Sequence, residues 1–127
     1  SIKESTMNIS KTVKSLVALN QFAEDYNTIV YGENPVLDVA MTAYGKILTM
    51  EAMKNGTALE KVISVGIATT SHKKLPLVNT GLMLVNRALL IKRVGLKQAI
   101  IKDLTTTIVA TGIGYVSAKV LDEVEGN

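Results

Sequence analysis

"LKQAIIKDLTTTIVATGIGYVSAKVL", residues 96–121, is the stretch that decides the fold. Read as one helix, it makes the chain all-helical. Read as two strands, it closes a sheet. Thr105, Thr106, Thr107, Ile108, Val109 and Thr111 are β-branched, poor in helices and good in strands. Gly112 and Gly114 weaken a helix interior and mark a bulge or bend in a strand. The expectation is a hairpin, with strands over residues 96–102 and 108–119 and Asp103 in the turn.

Upstream, "EKVISVGIATT" (60–70) is short, apolar and rich in β-branched residues, and reads as a buried strand over 61–69. Thr28, Ile29, Val30 and Tyr31 form another strand signal, closed by Gly32, Glu33, Asn34 and Pro35. Two helices lie between these strands and the hairpin. Asn34 suits the cap and Pro35 the first turn of one, with Gly56 as its stop. Pro76 opens the other, and Lys92, Arg93 and Gly95 end it. The segment before residue 27 has Ile9, Val13, Leu16, Val17 and Ala23 at helical spacing, and Ser5 or Thr6 can cap it. The chain therefore reads as one domain over 1–127. It has an N-terminal helix (1–26), an α/β core (27–121) and an acidic tail (122–127).

The order β-α-β-α-β-β, carried by "IVYGENPVLDVAMTAYGKIL" and "EKVISVGIATTSHKKLPLVNTGLMLVNRALL", resembles the Alba family of small archaeal and eukaryotic nucleic-acid-binding proteins. The resemblance covers residues 28–90, and the hairpin extends it to Lys119. It implies an α/β two-layer sandwich, to which the N-terminal helix outside the match is an addition, together with dimerisation and binding of DNA or RNA. It departs from the family where Glu33 and Asn34 stand in place of the usual lysines of the first turn.

Composition narrows the chemistry. Of 127 residues, 47% are apolar and none is Cys or Trp, so disulfides, thiol catalysis and cysteine-ligated metals are excluded. The net charge of +3 is unevenly spread. Residues 1–60 carry five lysines against seven carboxylates, while residues 61–127 carry nine cations against four. That polarity points to a polyanionic partner. Ser71, His72, Lys73 and Lys74, with Arg93, Lys97 and Lys102, are the candidate phosphate-contacting residues. Tyr115 is the only aromatic residue of the basic half, so base stacking is not expected. No acidic neighbour in sequence activates His72, and "TGIGY" (111–115) lacks the lysine of a phosphate loop. The chain is read as non-enzymatic and without cofactor.

Charge-free runs are too short for a membrane span, the longest being residues 104–118, and the start lacks a signal-peptide pattern. A cytoplasmic location follows as the expectation. "LVNTGLMLVNRALLI" (77–91) is apolar almost all round, which calls for a homo- or hetero-oligomer. Two other roles remain: a structural assembly protein joined through apolar helices, or a small domain that binds an anionic ligand.

Overall fold

The computed structural model describes residues 2–125 as five helices. They are α1 (Ile2–Glu33), α2 (Pro35–Asn55), α3 (Ala58–Thr69), α4 (Pro76–Val94) and α5 (Leu96–Glu125). Among the described residues there is no strand. The expected α/β fold, with its Alba-like sandwich and C-terminal hairpin, is overturned, and the chain is all-α. The N-terminal helix runs on through residues 27–33, and residues 122–125 of the acidic tail close α5. Gly126 and Asn127 lie outside the described residues.

Ser5 and Thr6, expected as caps, lie inside α1, where the Thr6 hydroxyl donates to the Ile2 carbonyl, but the expected punctuation of α2 and α4 acts where the sequence places it. Asn34 Oδ1 accepts the Leu37 N–H at 3.1 Å, and Pro35 opens α2. The Gly56 N–H donates to the Ala52 carbonyl at 2.8 Å and ends that helix. Gly95, at φ +89°, turns the chain from α4 into α5 in a conformation other residues rarely adopt.

The four strand expectations failed because tertiary packing overrode β propensity. Thr28 lies within α1, where its hydroxyl donates to the Glu24 carbonyl at 2.8 Å. Residues 61–69 belong to α3, which opens with a capping box. Glu60 Oε1 accepts the Thr57 N–H, and Thr57 Oγ1 accepts the Glu60 N–H, both at 3.3 Å. In α5, the hydroxyls of Thr105, Thr106 and Thr107 each donate to the carbonyl four residues back at 2.8 Å. Such bonds let threonine sit in a helix.

Small residues then set which face of α5 is inside. Ala99, Ala110 and Gly114 are buried. They allow α5 to lie antiparallel against α2, with Gly114 beside Val36 and Ala40 and with Tyr44 beside Asp103. Helices α3 and α4 form a second antiparallel pair, closed where Leu82 packs over Gly66. Between the pairs sits a small core of Leu48, Ile67 and Met83, flanked by Met41, Tyr44, Ile63 and Leu82.

That core covers little of the molecule. Helix α1 buries no residue completely. The chain exposes 8693 Å², whereas a compact monomer of 13.6 kDa exposes about 6,600 Å².

Candidate functional site

The two groups of basic residues singled out in the sequence lie at opposite ends of α4, a helix of 19 residues and about 28 Å. Ser71, His72, Lys73 and Lys74 form the loop between α3 and α4. Arg93, Lys97 and Lys102 cluster around the turn from α4 to α5.

At the loop, His72 is buried and its Nε2 lies 2.9 Å from Asp38 Oδ1. Lys73 Nζ reaches the other oxygen of Asp38, also at 2.9 Å. Asn27 of α1 donates to the His72 carbonyl at 2.7 Å, and Tyr31 meets the imidazole edge-on, with centroids 4.6 Å apart. The corner thus ties α1, α2 and the loop together. Ser71 Oγ accepts the Lys73 N–H at 3.1 Å, which shapes the turn. Burial works to raise the Asp38 pKa, but the hydrogen bonds and charges of Lys73 and His72 outweigh it and hold the carboxyl below its usual range. Burial, and next the Asp38 charge, push the Tyr31 phenol up.

A carboxyl with a depressed folded-state pKa stabilises the fold above its unfolded value, and that stability is lost as pH falls through the folded value. The melting temperature is therefore expected to drop as pH falls below about 4, the ordinary aspartate value. Asp38→Asn is expected to cost about 1 kcal/mol at neutral pH and to flatten this acid limb. Thermal melts of both proteins from pH 7 to 3 check it, and an unchanged acid limb in the variant refutes it.

At the other end Arg93 and Lys102 are engaged by carboxylates. Arg93 donates through Nε to Glu60 at 2.9 Å and through Nη2 to Glu51 at 3.1 Å. The Glu60 hydrogen bond is the main cause that raises the Arg93 pKa. Lys102 lies 3.7 Å from Glu51. Arg87 joins the network at 3.4 Å from Asp103, which also accepts the Tyr44 hydroxyl. Burial and the Asp103 hydrogen bond push the Tyr44 phenol well up. Four helices, α2 to α5, are pinned by this one chain of charges.

Of the seven candidate residues, only Lys74 and Lys97 are exposed cations without an ion pair among the described residues. The sequence does not single out Asp38, Glu51 or Glu60, and it marks Asp103 only for a turn, whereas Asp103 lies inside α5. For Glu60 the signal was present, as the "TALE" capping box at 57–60. Asp38 lies 34 residues from His72, and no local pattern joins them.

A cleft of about 170 Å³ opens beside the loop, lined by Thr42, Lys46, Ser71, His72, Lys73 and Asn79. Asn79 Oδ1 is buried there without a hydrogen-bond partner. Among the described residues, no group of three His, Asp or Glu side chains is placed to hold a metal ion.

The remaining features are apolar. Leu19, Phe22, Tyr26 and Ile29 stand exposed on α1, as do Ile108, Val109, Ile113 and Val116 on α5. By length and composition α5 can cross a membrane, although its longest charge-free run is short. No protein-family model, curated protein or solved structure matches the chain.

Proposed function

We propose that the chain is a non-enzymatic assembly module that joins protein chains through the apolar faces of α1 and α5. One observation carries this reading. The chain exposes about 2,100 Å² more than the 6,600 Å² of a compact monomer of its mass. Much of the excess lies on two long helices rich in Leu, Ile, Val and Phe. Surface of that kind marks an interaction site.

Neighbouring charges favour a protein over a bilayer as what covers α5. The charge-free residues 104–118 span about 22 Å of helix, against a hydrocarbon core of about 30 Å. Helix α2, packed along α5, carries Asp38, Lys46 and Glu51. Of the candidate phosphate contacts, only Lys74 and Lys97 stay unpaired among the described residues, and they stand at opposite ends of α4 rather than in one patch.

The chain is expected to sediment as an oligomer, with a melting temperature that rises with protein concentration. It is expected to bind neither labelled DNA duplex nor RNA at about 50 mM salt, where phosphate-driven affinity is strongest. A concentration-independent monomer would refute the assembly role. Nucleic-acid binding lost between about 50 and 200 mM salt would restore the polyanion reading.

A further inference from the structure

The outward face of α1 is built to pair with itself. Leu19, Phe22, Tyr26 and Ile29 recur at intervals of three and four residues, which places them on one side of the helix. That side faces away from the protein. Asn20 and Asn27, on the other side, bond to Leu77 and His72, and Val13 and Leu16 line the groove against Leu75 and Val78. Phe22, the only phenylalanine in the chain, is 70% exposed. A large aromatic ring held in water is a typical anchor of a protein interface.

The charges of α1 are unevenly spread. Lys3, Lys11 and Lys14 stand with Glu4 in its first half, and Glu24, Asp25 and Glu33 in its second. Lys11 and Glu33 lie on the Phe22 side, each eleven residues from Phe22 in opposite directions. Neither makes an ion pair among the described residues.

We infer that α1 docks antiparallel on α1 of a second copy, across a two-fold axis at Phe22. This pairing presupposes the assembly role proposed above and names its partner. The symmetry sets every contact, because residue i of one copy meets the residue equally far beyond Phe22 on the other. Lys11 then faces the partner's Glu33 at both ends. Ala18 faces the partner's Tyr26, and Ser15 faces the partner's Ile29, so that small residues receive large ones. A parallel pair would instead set Lys11 on Lys11 and Glu33 on Glu33. The area suffices, since a standard interface takes about 800 Å² from each partner, less than half of the excess surface.

The test uses the full chain, which has no cysteine of its own. In Phe22→Cys the two sulfurs meet at the axis, within the Cα separation of about 7 Å that a disulfide tolerates. In Ala18→Cys they stand about 12 Å apart along the helices. Rapid crosslinking of the first under mild oxidation, and little of the second, is the expected result. Phe22→Arg sets two cations face to face and is expected to weaken the dimer at least about a hundredfold. Its helical circular dichroism should be unchanged, since Phe22 touches solvent. Lys11→Glu or Glu33→Lys alone should weaken the dimer, and the double swap should restore it.

Crosslinking of Ala18→Cys as fast as Phe22→Cys, or a dimer indifferent to Phe22→Arg, overturns the α1 pairing and leaves the assembly role standing on α5. A wild-type chain that stays monomeric at tens of micromolar overturns both. A monomer that partitions onto phosphatidylcholine vesicles also overturns both and gives the apolar face to a lipid surface.

Discussion

Glu60→Ala is expected to lower the melting temperature by about 15 °C, the equivalent of roughly 3–5 kcal/mol for one broken buried ion pair. Glu60 is 2% exposed and serves two partners at once. Its carboxylate accepts the Thr57 N–H at the start of α3 and the Arg93 guanidinium from the end of α4. Alanine removes both, leaving a largely buried cation beside Glu51 alone. Domains of this size are stable by about 5–15 kcal/mol, so one side chain carries a large fraction of the total. Glu60→Gln keeps the cap and loses the charge, and should fall between the two. Pairing Glu60→Met with Arg93→Met removes both charges together and should recover most of the loss, because the desolvation of neither remains uncompensated. Thermal unfolding followed by circular dichroism measures all four proteins. A shift of only a few degrees in Glu60→Ala would mean that Glu60 is open to water.

The sequence and the structure agree on where α2 and α4 start and stop. Asn34, Pro35, Gly56, Pro76 and Gly95 act through φ angles and terminal hydrogen bonds, which are local and therefore legible. Local chemistry also marks Thr57 and Glu60, and the β-branched Val62, Ile63, Val65, Ile67, Thr69 and Thr70 conceal it. The spacing of Glu60, Ser64 and Ile67 is helical, and all three are buried on one face of α3. Residues 104–111 were harder to read. Threonine's strand preference describes a side chain on a half-buried pleated surface. Here those hydroxyls found carbonyls within their own helix, and packing against α2 decided the rest. The basic corner was seen as a set of cations but not as a set of ion pairs, because Asp38, Glu51 and Glu60 arrive from other helices.

This distribution of charge bears on function. A protein that kept Lys73, Arg93 and Lys102 for phosphates would leave them unpartnered, and each is engaged by a carboxylate. The structure uses these charges to hold its helices together around a small apolar core. Large aliphatic side chains that would enlarge that core in a self-sufficient domain stand outside it on α1 and α5. Stability and association are then linked, since whatever covers those faces also stabilises the fold.

The two glycines of "TGIGY" give the sharpest test of how α5 sits. A Cβ on Gly114 would collide with the Val36 carbonyl oxygen and lie 3.0 Å from the Ala40 amide nitrogen. Both are backbone atoms of α2, so no side-chain rotation relieves the clash. The helices must separate along their closest line of contact. Gly114→Ala should therefore cost about 1–3 kcal/mol from overpacking, even though alanine gains roughly 1 kcal/mol of helix propensity over glycine. Gly114→Val adds bulk at the same point and should cost more. Gly112 has no atom within 4 Å of where its Cβ would stand. Gly112→Ala should collect the propensity gain alone and stabilise by about 1 kcal/mol. Two alanine substitutions two residues apart are thus expected to move the urea midpoint in opposite directions. A strand with a bend at these positions would give no such alternation, because neither glycine would face a neighbouring helix. If both substitutions destabilise alike, α5 is not seated on α2 through Gly114, and the antiparallel pair at the centre of this fold is wrong.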